Sequence, residues 1–280
     1  MSVLTACIAR DLPILEITAR KLAEMVPLKS LHVVVRGDET ERFRSRLGST
    51  VRLIPEDGFI PGMTLHKLQQ LPLESFPKGA GWYFQQFLKL QFAFEDTADD
   101  YYLIWDADTI PLRPLRFFDC AGRMLLTKAA EYHAPYFETY RKVLGEEPRR
   151  EFSFIAQHIL VQKSVARAML RQIERQLPGA DNWAWKIMRV LPDHGLNLFS
   201  EYETYGHYVK QHHPDRAVFI ERNWSRRGAK LAARGVPREL DLKRLAKDYD
   251  YAAFELASVG LRGLKRRAFS WLKGTPRLED

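Results

Sequence analysis

The stretch VLTACIARDLPILEITARKLAEMVPLKSLHVVVRGDETERFRSRLGSTVRLI, residues 3–54, sets the fold class. It opens on an apolar run, Val3–Ala9, that reads as a buried strand. A helical stretch from about Leu12 to Met25 follows, then the β-branched strand Leu31–Val35. Glu39–Leu47 is helical again, and Val51–Ile54 is a third strand. Strands alternating with helices at this spacing predict a parallel sheet with crossover helices. Further along, Pro55–Gly62 is expected to be a loop, Trp82–Phe94 a helix and Tyr101–Trp105 an apolar strand. Phe152–Val161 is a candidate strand, and Ser164–Leu177 is an amphipathic helix with Val165, Met169 and Ile173 on one face. Pro178–Asn182 and Pro192–Asn197 read as turns, and Arg222–Pro237 as a loop or boundary. Leu240–Phe254 and Val259–Leu272 read as two terminal helices.

The chain has 280 residues, 46% hydrophobic and 28% charged, enough to bury a sizeable core and too apolar for wholesale disorder. No run of 18 uncharged apolar residues occurs, which excludes a spanning helix. The N-terminal apolar run stops at Arg10 and Asp11 and lacks the marks of a secretory signal. Cys7 and Cys120 are too few for a disulfide framework, so a reducing, cytoplasmic location is expected. Charge is unevenly placed. Residues 1–221 hold 28 Lys/Arg against 28 Asp/Glu, whereas residues 222–273 hold 14 against 5, a net of +9. Such a block is attracted to anionic surfaces, or is simply a solvated helical face.

The sharpest chemical signal is Tyr101-Tyr102-Leu103-Ile104-Trp105-Asp106-Ala107-Asp108-Thr109. A hydrophobic strand ends in two carboxylates two residues apart, and in extended backbone residues i and i+2 point the same way. Asp106 and Asp108 are therefore expected to converge on one cation. Carboxylate oxygen suits Mg²⁺ or Mn²⁺, and the carboxyl end of a strand in an open α/β sheet is where ligands bind. An Asp-rich turn after a strand is the bland alternative. No G-x-G-x-x-G is present, which argues against a dinucleotide site.

Over about residues 1–220 this arrangement resembles the nucleotide-sugar glycosyltransferases of the GT-A fold. Four segments in order are similar, more narrowly, to a bacterial family regarded as glycosyltransferases, of largely unassigned activity. They are Gly81–Lys89 (GWYFQQFLK), Trp105–Thr109 (WDADT), Ser153–His158 (SFIAQH) and Ser200–Gly206 (SEYETYG). The resemblance implies an α/β GT-A fold, Rossmann-like, with a mostly parallel central sheet flanked by helices. Residues 1–221 would form the catalytic domain, 1–110 its nucleotide-donor half and 111–221 its acceptor half, with 222–280 a basic helical C-terminal extension. It implies a Mn²⁺ or Mg²⁺ ion held by Asp106 and Asp108 against the donor diphosphate, neutralising the leaving group. It also implies donor contacts from Arg10, Asp11 and Arg36, and transfer of a sugar from a nucleotide-sugar donor to a glycan or lipid-linked acceptor in bacterial surface polysaccharide or glycolipid synthesis.

Other polar groups are read beside that pattern. Trp82, Gln85, Gln86 and Lys89 fall at i, i+3, i+4 and i+7, a shared face that would line the donor pocket, with Lys89 on a phosphate; the alternative is a solvent-facing stripe. Ser200 is a plausible N-cap with Glu203 closing a capping box, which leaves Glu201 the better general base, although both are candidates. A pair at i, i+2 on a helix diverges, so the two are not expected to act together. Stereochemistry stays open. His212, of the cluster His207, His212 and His213, is a candidate extra metal ligand. His133, His158 and Tyr202 are candidate acceptor contacts, ring faces being able to stack on sugars.

Residues 259–273 hold five basic residues and no acid, with Leu261, Leu264, Ala268, Trp271 and Leu272 able to gather on one side, the pattern of an interfacial helix. An anionic membrane surface is thus an expected partner, with the protein peripheral on the inner membrane. Two other functions compete. A nucleotidyltransferase usually carries a Gly-rich basic loop after the first strand, where Arg10-Asp11-Leu12-Pro13 stands instead. A nucleic-acid-binding protein would need a basic groove that the neutral body lacks, so no nucleic acid is expected.

Overall fold

In the computed structural model, which describes residues 1–71, 79–192 and 197–255, the first strand and helix form where the pattern puts them. Strand β1 spans Ser2–Ala6, helix α1 Leu12–Met25, β2 Ser30–Val35, α2 Thr40–Leu47 and β3 Val51–Pro55. Short α3 (Leu65–Gln69) precedes α4 (Gly79–Gln91), and β4 is Tyr101–Trp105. Then come β5 (Thr109–Pro111), β6 (Met124–Thr127), α5 (Ala134–Leu144), β7 (His158–Gln162), α6 (Lys163–Gln176) and α7 (Trp183–Val190). The chain continues through α8 (Glu201–His212), β8 (Ala217–Ile220), β9 (Trp224–Ser225), α9 (Gly228–Leu231), α10 (Glu239–Leu245) and β10 (Tyr251–Ala253).

The central sheet has the order β3-β2-β1-β4-β7. β1, β2, β3 and β4 run parallel, and β7 pairs antiparallel with β4, Trp105 opposite His158. The chain moves outward from β1 to β2 and β3, then returns to place β4 on the other side of β1. The crevice at the carboxyl ends of β1 and β4 is thus the topological switch point, where open α/β sheets bind ligands. Each of β1, β4 and β7 is buried almost end to end, because helices cover both faces. This is the GT-A plan: a mostly parallel central sheet flanked by helices.

The last quarter of the chain departs from its sequence reading. The expected helix over Leu240–Phe254 stops at Leu245; Tyr251–Ala253 is instead a strand, antiparallel to β5 and parallel to β9. Its apolar residues complete a second small core in which Ala232, Leu242, Leu245, Ala252 and Phe254 pack with Ile14 of α1 and with Ile110 and Leu112. Residues 222–255 are therefore bound into the body, and the boundary expected at 221 runs through packed structure. The expected amphipathic helix at 259–273 lies outside the described residues. Among those residues no helix is long and apolar enough to cross a membrane.

One glycine is required for close approach. Gly206 lies on α8 where a Cβ would sit 2.2 Å from Phe154 Cγ, so a bare backbone lets α8 press against the segment leading into β7.

Candidate active site at the carboxyl ends of the sheet

Trp105 ends β4 fully buried, its ring stacked on His158 at 5.0 Å. Its indole N–H donates to the Thr109 carbonyl at 2.5 Å. That anchor pins the turn that carries Asp106 and Asp108. The turn is tied again on each side: Asp106 N–H donates to Gln157 O (2.9 Å), and Phe254 N–H donates to Asp108 O (2.7 Å).

The two carboxylates then part company. Asp106 Oδ1 accepts from Lys89 Nζ at 2.6 Å and from the Tyr202 hydroxyl at 2.8 Å. With the Gln157 amide oriented to satisfy both its neighbours, its nitrogen donates to Asp106 Oδ2 at 3.2 Å and its oxygen accepts from Arg226 Nη2 at 2.8 Å. Gln157 holds this place with a left-handed φ of 66°. Asp108 meets only the Thr109 hydroxyl, at 3.5 Å, and no cation among the described residues. Burial, then the charges of Asp106, Glu255 and Asp11, push its carboxyl up to about 7.

Lys89 is the hub of the Asp106 side. It is 4% exposed and also donates to Glu201 Oε1 at 2.8 Å, with the Tyr202 ring 4.8 Å from its ammonium. Two carboxylates outweigh burial and hold its charge in place. The polar face of α4 thus turns inward rather than to solvent or to an open pocket. Gln86, also buried, accepts from Glu201 N–H at 3.0 Å and so caps the start of α8, and Gln85 donates to Ala6 O at the end of β1 (3.1 Å). Half-buried Trp82 sits edge-on to Tyr83.

Neither glutamate is a free base. Glu201 is buried against Lys89, and desolvation raises its pKa against the pull of that lysine. Ser200 Oγ accepts from Glu203 N–H as an N-cap should, yet the Glu203 carboxylate does not turn back to close a capping box. It accepts instead from Ser153 Oγ (2.6 Å) and Phe154 N–H (3.1 Å), and His207 Nε2 lies 3.2 Å away, fastening α8 to the segment before β7.

Four expected contacts are placed differently. His212 sits at the far end of α8, about 16 Å from Glu201 at 1.5 Å per residue, and pairs with Glu146 at 2.6 Å, so it does not join the aspartates. His158 is a core residue, 2% exposed and pushed down to about 3 by burial, then by Arg222, which leaves it neutral under Trp105 rather than facing an acceptor. Tyr202 is buried on Asp106 instead of presenting a ring face. His133 is half-buried, edge-on to Tyr136 at the start of α5. On the opposite rim Arg10 grips Asp11 (2.9 Å) and Arg36 grips Asp38 (2.8 Å), both exposed at the ends of β1 and β2.

Two functional candidates escaped the sequence reading. Gln157 stood inside the quoted Ser153–His158 segment without being singled out. Arg226 belongs to the basic block that looked like an appendage; it bridges Gln157 to Glu131 at 2.8 Å and to Glu255 at 3.6 Å. The four quoted segments converge here: Lys89, Asp106, Gln157 and Glu201 with Tyr202 form one connected network.

The donor set is all oxygen, and Asp108 is an acidic group with no ion-pair partner among the described residues, which fits a hard divalent cation. Among the described residues no third His, Cys, Asp or Glu gathers with the pair. A cation there would keep water or substrate phosphate in its remaining positions, as Mg²⁺-like ions do.

No curated protein matches the sequence. The structure is similar over 99% of its length to 98% of an active-site mutant of LgtC, at 13% identity and a TM-score of 0.50. Mouse xyloside xylosyltransferase 1 gives 11% identity, 91% and 98% coverage and a TM-score of 0.49. LgtC crystallised with donor and acceptor sugar analogues gives 14%, 99%, 98% and 0.48. Residues 8–231, well over half of the sequence, match the family of unknown function DUF6492, and the chain belongs to that family.

Proposed function

We propose that this protein is a glycosyltransferase that moves a sugar from a nucleotide-sugar donor to a hydroxyl of a glycan or lipid-linked acceptor. The observation that carries the reading is the unequal pair at the switch point. One carboxylate, Asp106, is oriented by Lys89, Tyr202 and Gln157, and the other, Asp108, forms no ion pair with any described residue. A phosphate-rich donor does not suit a bare acidic rim, whereas a cation between them reconciles the charges. Asp108, with Asp106, would hold Mn²⁺ or Mg²⁺, which when bound supplies Lewis-acid neutralisation of the departing nucleoside diphosphate.

The chain's own residues do the rest. Lys89 and Tyr202 keep Asp106 Oδ1 in one orientation, so the site is set before the donor arrives. Gln86 caps α8 and holds Glu201 behind Lys89. Glu201 and Glu203 are assigned to positioning, because each is already engaged and neither is free to take an acceptor proton. Arg10 and Arg36, exposed beyond the ends of β1 and β2, are assigned to a nucleotide's phosphates and ribose.

The test is a thermal-shift panel of nucleoside diphosphates and nucleotide sugars with and without Mn²⁺, followed by donor hydrolysis. A Mn²⁺-dependent shift with one nucleotide is expected. Asp108→Asn should abolish both the Mn²⁺-dependent shift and metal-stimulated hydrolysis. No nucleotide response in the wild type, or undiminished hydrolysis in the variant, overturns the reading. Pyrophosphate release from a nucleoside triphosphate and a sugar phosphate would replace it with nucleotidyl transfer.

A further inference from the structure

Large apolar side chains are exposed at few places among the described residues, and three of them, Leu231, Val236 and Leu240, fall within ten positions. Leu240 is 78% exposed although Leu242 and Leu245 of the same helix are buried, so α10 turns two apolar side chains inward and another straight out. Leu231 and Leu240 belong to one surface. Arg244, one turn beyond Leu240 on the same helix face, donates from Nη2 to Leu231 O at 2.8 Å. Arg234 Nε pairs with Asp241 Oδ2 at 3.2 Å, laying residues 231–234 along the exposed side of α10.

That surface is cationic. Residues 227–247 contain Arg227, Lys230, Arg234, Arg238, Lys243, Arg244 and Lys247 against Glu239 and Asp241. Both acids are spent: Glu239 on Arg20 and Lys21, Asp241 on Arg234 and Arg244. Arg227, Lys230, Lys243 and Lys247 are exposed and form no ion pair with any described residue. The sequence beyond continues the theme, with five Lys/Arg and no acid between 256 and 273.

We propose that this surface docks the protein on an anionic lipid bilayer. Leu231, Val236 and Leu240 would enter the boundary between headgroups and acyl chains, and the free lysines and arginines would meet lipid phosphates. Protruding aliphatic side chains decide between partners. Nucleic acid rewards cations and stacking aromatics but gains little from leucine and valine, whereas a lipid interface rewards both halves of this pattern. The sugar-transfer reading is not needed for it.

Co-sedimentation of the full-length protein tests this, with vesicles of pure phosphatidylcholine and vesicles in which a third of the lipid is phosphatidylglycerol. The wild type is expected to bind the anionic vesicles, weaken with added salt and ignore the neutral ones. Leu231→Gln with Leu240→Gln should lower binding about tenfold or more, from the loss of two buried aliphatic side chains. Lys230→Ser, Lys243→Ser and Lys247→Ser together should lower it about a hundredfold, at about 1 kcal/mol per basic residue. A full-length variant with serine at Arg262, Lys265, Arg266, Arg267 and Lys273 separates the two basic regions. In that background the leucine substitutions should still reduce binding. All these positions in 230–247 are exposed, so unfolding midpoints should match the wild type. Anionic-vesicle binding unaffected by the leucine and lysine changes, or lost wholly with the 262–273 changes, overturns the proposal. So does a DNA duplex that displaces vesicles in the wild type.

Discussion

Asp106 and Asp108 stand two residues apart on one turn, yet the fold treats them in opposite ways. Around Asp106 everything is committed: a buried lysine, a buried tyrosine, an amide and a second buried carboxylate close on it. Around Asp108 the acids Asp106, Glu255 and Asp11 act with burial and outweigh the pull of Lys89, and among the described residues its side chain meets only the Thr109 hydroxyl, at 3.5 Å. A folded chain does not keep a carboxylate against like charge without return, because the same position filled by an amide would be less costly. The committed side thus reads as scaffold and the open side as the place where a ligand's charge completes the structure.

The strongest way to break this comparison is to remove the hub. Lys89→Met strands Asp106 and Glu201 in the interior without their shared cation. Loss of one member of a buried charge network costs about 3–5 kcal/mol. Urea unfolding should show that loss in full. A variant as stable as the wild type would mean that Asp106 and Glu201 find solvent or other partners easily, and that the two sides of the turn are not as different as their contacts imply.

The floor beneath the committed side offers a pH test. His158 is neutral in the fold, held down to about 3, against an ordinary value of 6.5. A base with a depressed folded pKa contributes stability that is full above 6.5 and is lost as pH falls toward 3. The loss is about 1.4 kcal/mol per pH unit across that window at most. His158→Gln should therefore unfold less steeply with acid than the wild type between pH 6 and 4, in parallel denaturant titrations. Curves of equal slope would place His158 in contact with water and loosen the packing under Trp105.

Much of the committed side was legible in the sequence, but not its direction. The parallel strands follow from apolar runs, because backbone periodicity is a local property, whereas the i, i+2 rule that points Asp106 and Asp108 the same way holds for extended backbone and not for the turn they occupy. Lys89, Gln86, Glu201 and Tyr202 all stand out in the sequence as candidate site residues. What local pattern could not reveal is that they face one another. A polar stripe on a helix looks the same whether it lines a pocket or meets buried counter-charges from a helix 112 residues away. The histidines carry no local mark either: His158 alternates like any strand residue, and its burial under Trp105 shows it to be core only in the fold. The end of the chain was misread because net charge masked its apolar residues. Tyr251, Ala252 and Ala253 are too short a run to signal a strand without β5 beside them.

The smallest effect, and of opposite sign, should come from the open side. Asp108→Asn removes a charge from a place where burial and Asp106, Glu255 and Asp11 disfavour it. A carboxyl whose folded pKa is raised to about 7 from 3.8 contributes stability only at low pH and loses it as pH climbs through 7. The variant should then be more stable than the metal-free wild type at pH 8, by about 1 kcal/mol, since Asp108 is partly exposed and water screens it. Near pH 4 the two should converge. Adding Mn²⁺ should reverse the ranking, since an ion bound by the native state alone raises the wild-type midpoint with concentration and leaves the asparagine variant unchanged. If Asp108→Asn instead lowers stability in chelator at pH 8, Asp108 is already paired, and the contrast between the two aspartates disappears.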